Sequence, residues 1–147
     1  MKVLAIDAAT RCGWAHSDGG SGEWNLTSTA RESKGLRLVK FLKRLEEVQR
    51  TRGIELVSHE KVIMFPKRAQ GSIVCAQLVG VLMLFCETRH IPYVEYSPGA
   101  IKKHATGKGN ANKAAMIDAA NARFGQVCGD NEADALWLLD LTQSERH

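Results

Sequence analysis

Asp7, Glu60, Asp130 and Asp134 come from distant parts of the chain, in KVLAIDAAT, LVSHEKVI and GDNEADALWLL, and each falls where a strand ends or a helix begins. An aspartate between Leu4 and Ile6 on one side and Ala8 and Ala9 on the other is costly to bury alone, so Asp7 is expected to face a cation or a solvent-lined cleft. Carboxylates converging from separate segments are the usual way to hold two divalent cations about 4 Å apart, which activate a water, stabilise a leaving oxygen and neutralise phosphate charge. Mg2+ prefers oxygen ligands and keeps open positions for phosphate oxygens. The core set is Asp7, Glu60 and Asp134, with Asp7 expected to bridge the metals, Glu60 to hold one and Asp134 the other. Asp130 fits two roles equally, a fourth ligand or a cap on the first amides of the last helix. Glu132 and Asp140 are expected to be solvent-facing or capping charges.

Between Ser97 and Lys113 the chain carries Lys102, Lys103, His104, Lys108 and Lys113, with no acid until Asp118. Gly107 and Gly109 allow backbone amides to approach a phosphate, and Asn110 is expected to cap a helix starting at Ala111, whose positive end then faces an anion. A solvated basic loop is the plainer alternative. Lys61, Lys67 and Arg68 surround Phe65 and Pro66 just after Glu60; an aromatic among cations can stack on bases, with a core position at a strand end as the competing role.

The elements that must position these groups follow from periodicity. Lys2 to Ala8, Arg11 to Ser17 and Gly22 to Thr27 read as three strands, with Ser17-Asp18-Gly19-Gly20 as the turn joining the last two. From Ser33 to Arg52 Leu38, Leu42, Leu45 and Val48 form a helical stripe. Ile54 to Met64 reads as a strand, Gly71 to His90 as an apolar helix and Ile91 to Tyr96 as a strand, which makes a βαβ unit and a parallel pair. A short helix from Pro98 to about His104, an alanine-rich helix from Ala111 to Phe124 and a last helix from about Asp130 to Leu141 complete the pattern. The order is that of a ribonuclease-H-like α/β domain: one domain over residues 1–147, with a mixed five-stranded sheet, three antiparallel strands then parallel βαβ, flanked by helices. In that layout the first and fourth strands are neighbours, which puts Asp7 beside Glu60 with a C-terminal helix across their ends. Trp14, Trp24 and Trp137 are expected in the core.

A chain of 147 residues with 20 Lys and Arg against 16 Asp and Glu has a formal charge of +4, mildly favourable for a polyanionic partner. Cys12, Cys75, Cys86 and Cys128 lack any CxxC pair or zinc spacing, so reduced structural thiols in a cytosolic protein are expected. The first residues lack a basic, cleavable leader, and the apolar stretch Ile73 to Cys86 is expected to be too short to cross a bilayer.

With these residues in place, the chain resembles the RuvC-type Holliday-junction resolvases, in the small form found in phages and prophages. The resemblance spans nearly the whole length and rests on IDAATRCGWA, HEKV, SPGAIKKHATGKGNANKAAM and NEADAL in that order. It implies a crossover junction endodeoxyribonuclease whose metal-binding catalytic acids are Asp7, Glu60 and Asp134, acting with two Mg2+ ions for which Mn2+ substitutes. It also implies that one of Lys102 and Lys113 contacts the DNA backbone and the other approaches the scissile phosphate. The partners it implies are a four-way DNA junction and a second copy of the chain, two sites nicking strands of like polarity, in the cytoplasm of a bacterial or phage-infected cell. The apolar helix Gly71 to His90 is the candidate dimer contact, with core packing as the alternative. Two positions depart from the family. Asn131 stands where a further Asp is usual, so that Asp130 or an amide oxygen would supply the fourth ligand, and Ile63 stands where a base-stacking aromatic is usual, a role open to Phe65.

Three other functions compete. Sugar-kinase, Hsp70 and actin-like ATPases begin with a similar strand, but Asp7-Ala8-Ala9-Thr10 lacks their glycine and one domain of this size cannot form a two-lobed cleft. A nuclease for flaps, forks or structured RNA would keep the same carboxylates, because substrate shape is read elsewhere. A binding-only module is disfavoured by the presence of all three acids.

Overall fold

The computed structural model describes residues 1–63, 69–127 and 129–146. Five strands and five helices follow one another as β1 (Val3–Asp7), β2 (Arg11–His16), β3 (Ser21–Asn25), α1 (Leu36–Thr51), β4 (Leu56–Glu60), α2 (Ala69–Thr88), β5 (Tyr93–Tyr96), α3 (Pro98–Thr106), α4 (Lys113–Phe124) and α5 (Asp130–Ser144). The sheet order is β3-β2-β1-β4-β5. β1 pairs antiparallel with β2, and β2 with β3, whereas β1–β4 and β4–β5 are parallel.

β1 is central and buried on both faces, which is why it reads as an unbroken apolar run rather than an alternating one. Leu4 and Ile6 enter a layer with Phe41 and Leu45 of α1 and Leu78, Leu82 and Phe85 of α2. Val3 and Ala5 point the other way, into a layer with Ile101 of α3, Met116 and Ala120 of α4, and Ala133 and Leu138 of α5. The β2–β3 turn is closed by the Asp18 carboxylate, which accepts from the Gly20 amide at 2.8 Å while Gly19 adopts φ 105°. Arg52 clamps Asp18 through two 2.7 Å contacts and lies over the Trp14 ring. Trp24 and Trp137 are buried as expected, whereas Trp14 is half-buried and stacked on Trp24.

α2 is shifted two residues toward the N-terminus from the expected Gly71 to His90. It is a 20-residue helix, long and apolar enough by length and composition to cross a membrane. One face, including Val74, Leu78, Leu82 and Phe85, packs on the sheet. On the other, Ile73, Met83 and Leu84 are 42%, 41% and 63% exposed. Cys12, Cys75 and Cys86 are free thiols; Cys128 lies outside the described residues.

Candidate active site

The parallel register of β1 and β4 matches Val3 with Leu56, Ala5 with Ser58 and Ile6 with His59, so the next step along both strands sets Asp7 beside Glu60 at their C-terminal ends. Alternation fixes the direction of both side chains. Val3, Ala5 and Asp7 share one face, as do Leu56, Ser58 and Glu60, and this is the face covered by α5. There the hydroxyls of Ser58 and Thr142 hydrogen-bond at 2.9 Å, holding α5 to the middle of the sheet.

The start of α5 can approach the strands because β2 presents Gly13 beneath it: a Cβ at Gly13 would overlap the Asn131 carbonyl. Gly13 is also the register partner of Asp7 on one side and Glu23 on the other. The first turns of α5 therefore sit beside Asp7, and Asp134 joins the two strand acids.

The electrostatics record that crowding. Burial, followed by the charges of Asp134, Glu60, Asp130 and Glu23, holds the Asp7 carboxyl well above the usual carboxylate range. Asp134 is pushed up to about 7 by burial and then by Glu60 and Asp130, with Lys102 and Lys113 opposing. Glu60 is raised by burial, against the pull of Lys102 and of a hydrogen bond with Asp7. Among the described residues no three His, Cys, Asp or Glu side chains are gathered, as they stand, around a point that could hold a metal ion. The donor chemistry nonetheless suits a hard divalent cation: the acids are oxygen donors whose mutual repulsion a cation relieves. The neighbouring Cys75 thiol is pushed up to about 11 by burial, Asp7 and Glu60, so it remains a neutral thiol.

The basic segment folds as a helix, a loop and a second helix. Ser97 caps α3 by accepting from the Ala100 amide, Pro98 occupies its first turn, and Gly107 closes it in the left-handed region at φ 83°. α4 starts at Lys113, two residues later than expected, and its cap is Asn112 rather than Asn110, accepting from Ala115 N at 2.8 Å. Lys113, 80% exposed at that positive helix end, lies 3.4 Å from the Asp130 carboxylate. The N-cap of α5 is Gly129, so Asp130 stands in the first turn rather than at the cap position. Lys103 and Lys108 are exposed. Beside Glu60 a recess of about 200 Å³ is lined by Lys61, Ile63, Ser72 and Cys75. Phe65, Lys67 and Arg68 lie outside the described residues.

The family model for crossover junction endodeoxyribonuclease RuvC matches residues 8–135, a span that takes in Glu60, Asp130, Asp134 and the whole basic segment. The chain belongs to this family. RuvC of Brachyspira hyodysenteriae is 28% identical over 155 residues, covering 100% of this chain and 96% of that one. RuvC of Rhodococcus opacus is 32% identical over 150 residues, covering 96% and 78%. The structure of T. thermophilus RuvC in complex with Holliday junction substrate superposes with a TM-score of 0.74 at 19% identity, covering 94% and 90% of the two chains. The ribonuclease-H-like sheet expected from the element order is thereby established.

Other acids of this RuvC-family chain differ from expectation. Glu132 is buried rather than solvent-facing and accepts from Ser21 Oγ at 2.8 Å, tying α5 to β3. Asp140 is engaged by His104 and Arg123. Glu23 bears on Asp7 electrostatically and was missed in the sequence; the signal was its place opposite Gly13, which is itself opposite Asp7.

Proposed function

We propose that residues 1–147 form one ribonuclease-H-like nuclease domain, a metal-dependent endonuclease that resolves four-way DNA junctions by paired symmetric nicks. The observation that carries this reading is the meeting of Asp7, Glu60 and Asp134 from three segments in a half-buried cluster bordered by Lys102 and Lys113. Such a cluster is electrostatically unfavourable until cations or protons enter it, and a nucleic-acid backbone supplies the anion that the lysines fit.

In this reading Asp7, Glu60 and Asp134 would hold two Mg2+ ions, with Mn2+ as a substitute, and Asp130 or the Asn131 amide oxygen would complete the set. When bound, the ions supply an activated water and stabilise the leaving oxygen. Lys113, at the positive end of α4, is the catalytic cation facing the scissile phosphate. Lys102 is half-buried near Glu60 and Asp134, where it both screens the acids and meets the backbone. Lys103 and Lys108, with Phe65, Lys67 and Arg68, extend the DNA contact.

Symmetric nicking needs two sites, and the described residues of one chain hold one cluster of this kind. The exposed apolar stripe of α2, with Ile73, Met83 and Leu84, is the surface on which a second copy would close a homodimer. Such an enzyme works in the cytoplasm, where its DNA substrate is found. The test is cleavage of a labelled four-way junction with Mg2+ and with chelator, beside flap, fork and linear duplexes. Metal-dependent paired nicks on the junction alone are expected. Cutting of every branched form would instead support a broader nuclease.

A further inference from the structure

Asp140, on α5 beyond the acid cluster, makes charged hydrogen bonds to two other helices. Its Oδ2 lies 2.8 Å from His104 Nε2 on α3, and its Oδ1 accepts from Arg123 Nη2 on α4 at 3.0 Å. His104 and Asp140 are 24% and 23% exposed, so the pair is only partly open to solvent. Trp137, one turn earlier on α5, seals the junction: the His104 ring meets it edge-on at 6.0 Å and Phe124, next to Arg123, at 4.8 Å.

Each of the three helices joined in this way brings charge to the acid cluster: Lys102 on α3, Lys113 on α4, and Asp130 and Asp134 on α5. Lys102 and His104 are two residues apart, roughly 200° around the axis of α3, so a helix gripped by His104 presents Lys102 from its other side. On α4, Arg123 fastens the last turn while Lys113 occupies the first. These contacts lie outside the acid cluster and touch neither metal nor DNA in the reading above.

We infer that Asp140 is a positioning residue, a tie that sets both lysine-bearing helices against α5 and so fixes where Lys102 and Lys113 meet the phosphate. The inference rests on the roles proposed for those two lysines. Small displacements of a charge at a reacting phosphate have large kinetic effects.

The test compares full-length variants on a four-way junction with Mg2+, as single-turnover cleavage rates at saturating protein normalised to folded fraction, together with the salt dependence of junction affinity. Asp140→Ala is expected to lower the rate about tenfold and to make the salt slope shallower by about one phosphate contact. Asp140→Asn, whose amide oxygen still accepts from Arg123 and whose amino group can donate to neutral His104, should keep a rate within about twofold of the parent. A parental rate in Asp140→Ala, or equal losses in both variants, would overturn the tie.

A second comparison does not depend on Asp140→Ala folding. If His104 acts by placing Lys102, Lys102→Ala should lose less in a His104→Ala background than in the parent; independent, multiplying losses would overturn the inference. A parental rate for Lys102→Ala alone would overturn the role of Lys102 itself, which separates failure of the functional reading from failure of the tie.

Discussion

Gly13 lies directly beneath Asn131, so close that a methyl group on Gly13 would overlap the Asn131 carbonyl and stand 3.2 Å from the Glu132 amide. The missing side chain on β2 is what lets α5 bring its acids down beside Asp7. Gly13→Ala should therefore lift the first turn of α5. A loss of about 1–3 kcal/mol in stability is expected from the overpacking, with a larger loss of cleavage than the folded fraction explains. Chemical denaturation and normalised cleavage rates check the two effects together.

Asp7 is half-buried among like charges, which makes it costly to the fold as well as central to the proposed site. Asp7→Asn should abolish cleavage while sparing junction binding, and should raise the melting temperature of the metal-free protein by relieving repulsion. Gel-shift and thermal-melt measurements test this. Equal loss of binding and cutting would make Asp7 structural.

On the proposed reading, proton and metal compete for the same carboxylates. Asp134, ordinarily near 3.8, stands at about 7 in the folded protein. The folded state therefore binds the proton more tightly than the unfolded state. The resulting stabilisation is fully present below the ordinary value and is lost as pH rises through about 7. Without metal, the cluster should cost more stability above neutrality. Saturating Mg2+ should then raise the melting temperature more at about pH 8 than at about pH 6, because metal binding must displace the proton at the lower pH. A shift independent of pH would separate Asp134 from the metal.

Lys113 is 80% exposed, so its pair with Asp130 contributes little to stability. Lys113→Ala should leave the melting temperature nearly unchanged and lower the cleavage rate more than junction affinity, as expected for a contact made chiefly in the transition state. Loss of affinity alone would make it only an anchor.

Leu84, on the apolar stripe of α2, is 63% exposed. Leu84→Asp should leave the monomer folded and shift the particle to half its mass in sedimentation, with single nicks replacing paired ones. An unchanged mass would place the second copy elsewhere.

The strand acids were legible because strand periodicity is simple. An apolar run ending in Asp7, and a βαβ unit ending its first strand at Glu60, leave one topology in which the two are neighbours. Helix-borne acids were harder. Asp134 stood out among alanines and large apolar residues, but Glu132 and Asp140 look in the sequence like ordinary surface charges. Their burial depends on α5 being covered by β3 on one flank and by α3 and α4 on another, a tertiary fact with no local signature. The cap of α4 was misplaced by two residues because Asn110 and Asn112 are chemically equal candidates, and only the path of the preceding loop separates them. Glu23 needed the register of two hairpin strands, which a turn motif does not fix.

The chain order of the site has a bearing on when the molecule becomes dangerous to DNA. α5 packs against β1 and β2, from which it is separated by most of the sequence, so the contact closes a very long loop and should be among the slower events of folding. Until residues 130–144 have been synthesised and docked, Asp7 and Glu60 lack their third companion and the lower face of the sheet is bare. A nascent or clipped chain missing that helix would be an inert species and a sticky one, easily recognised by a chaperone or protease before it can cut anything.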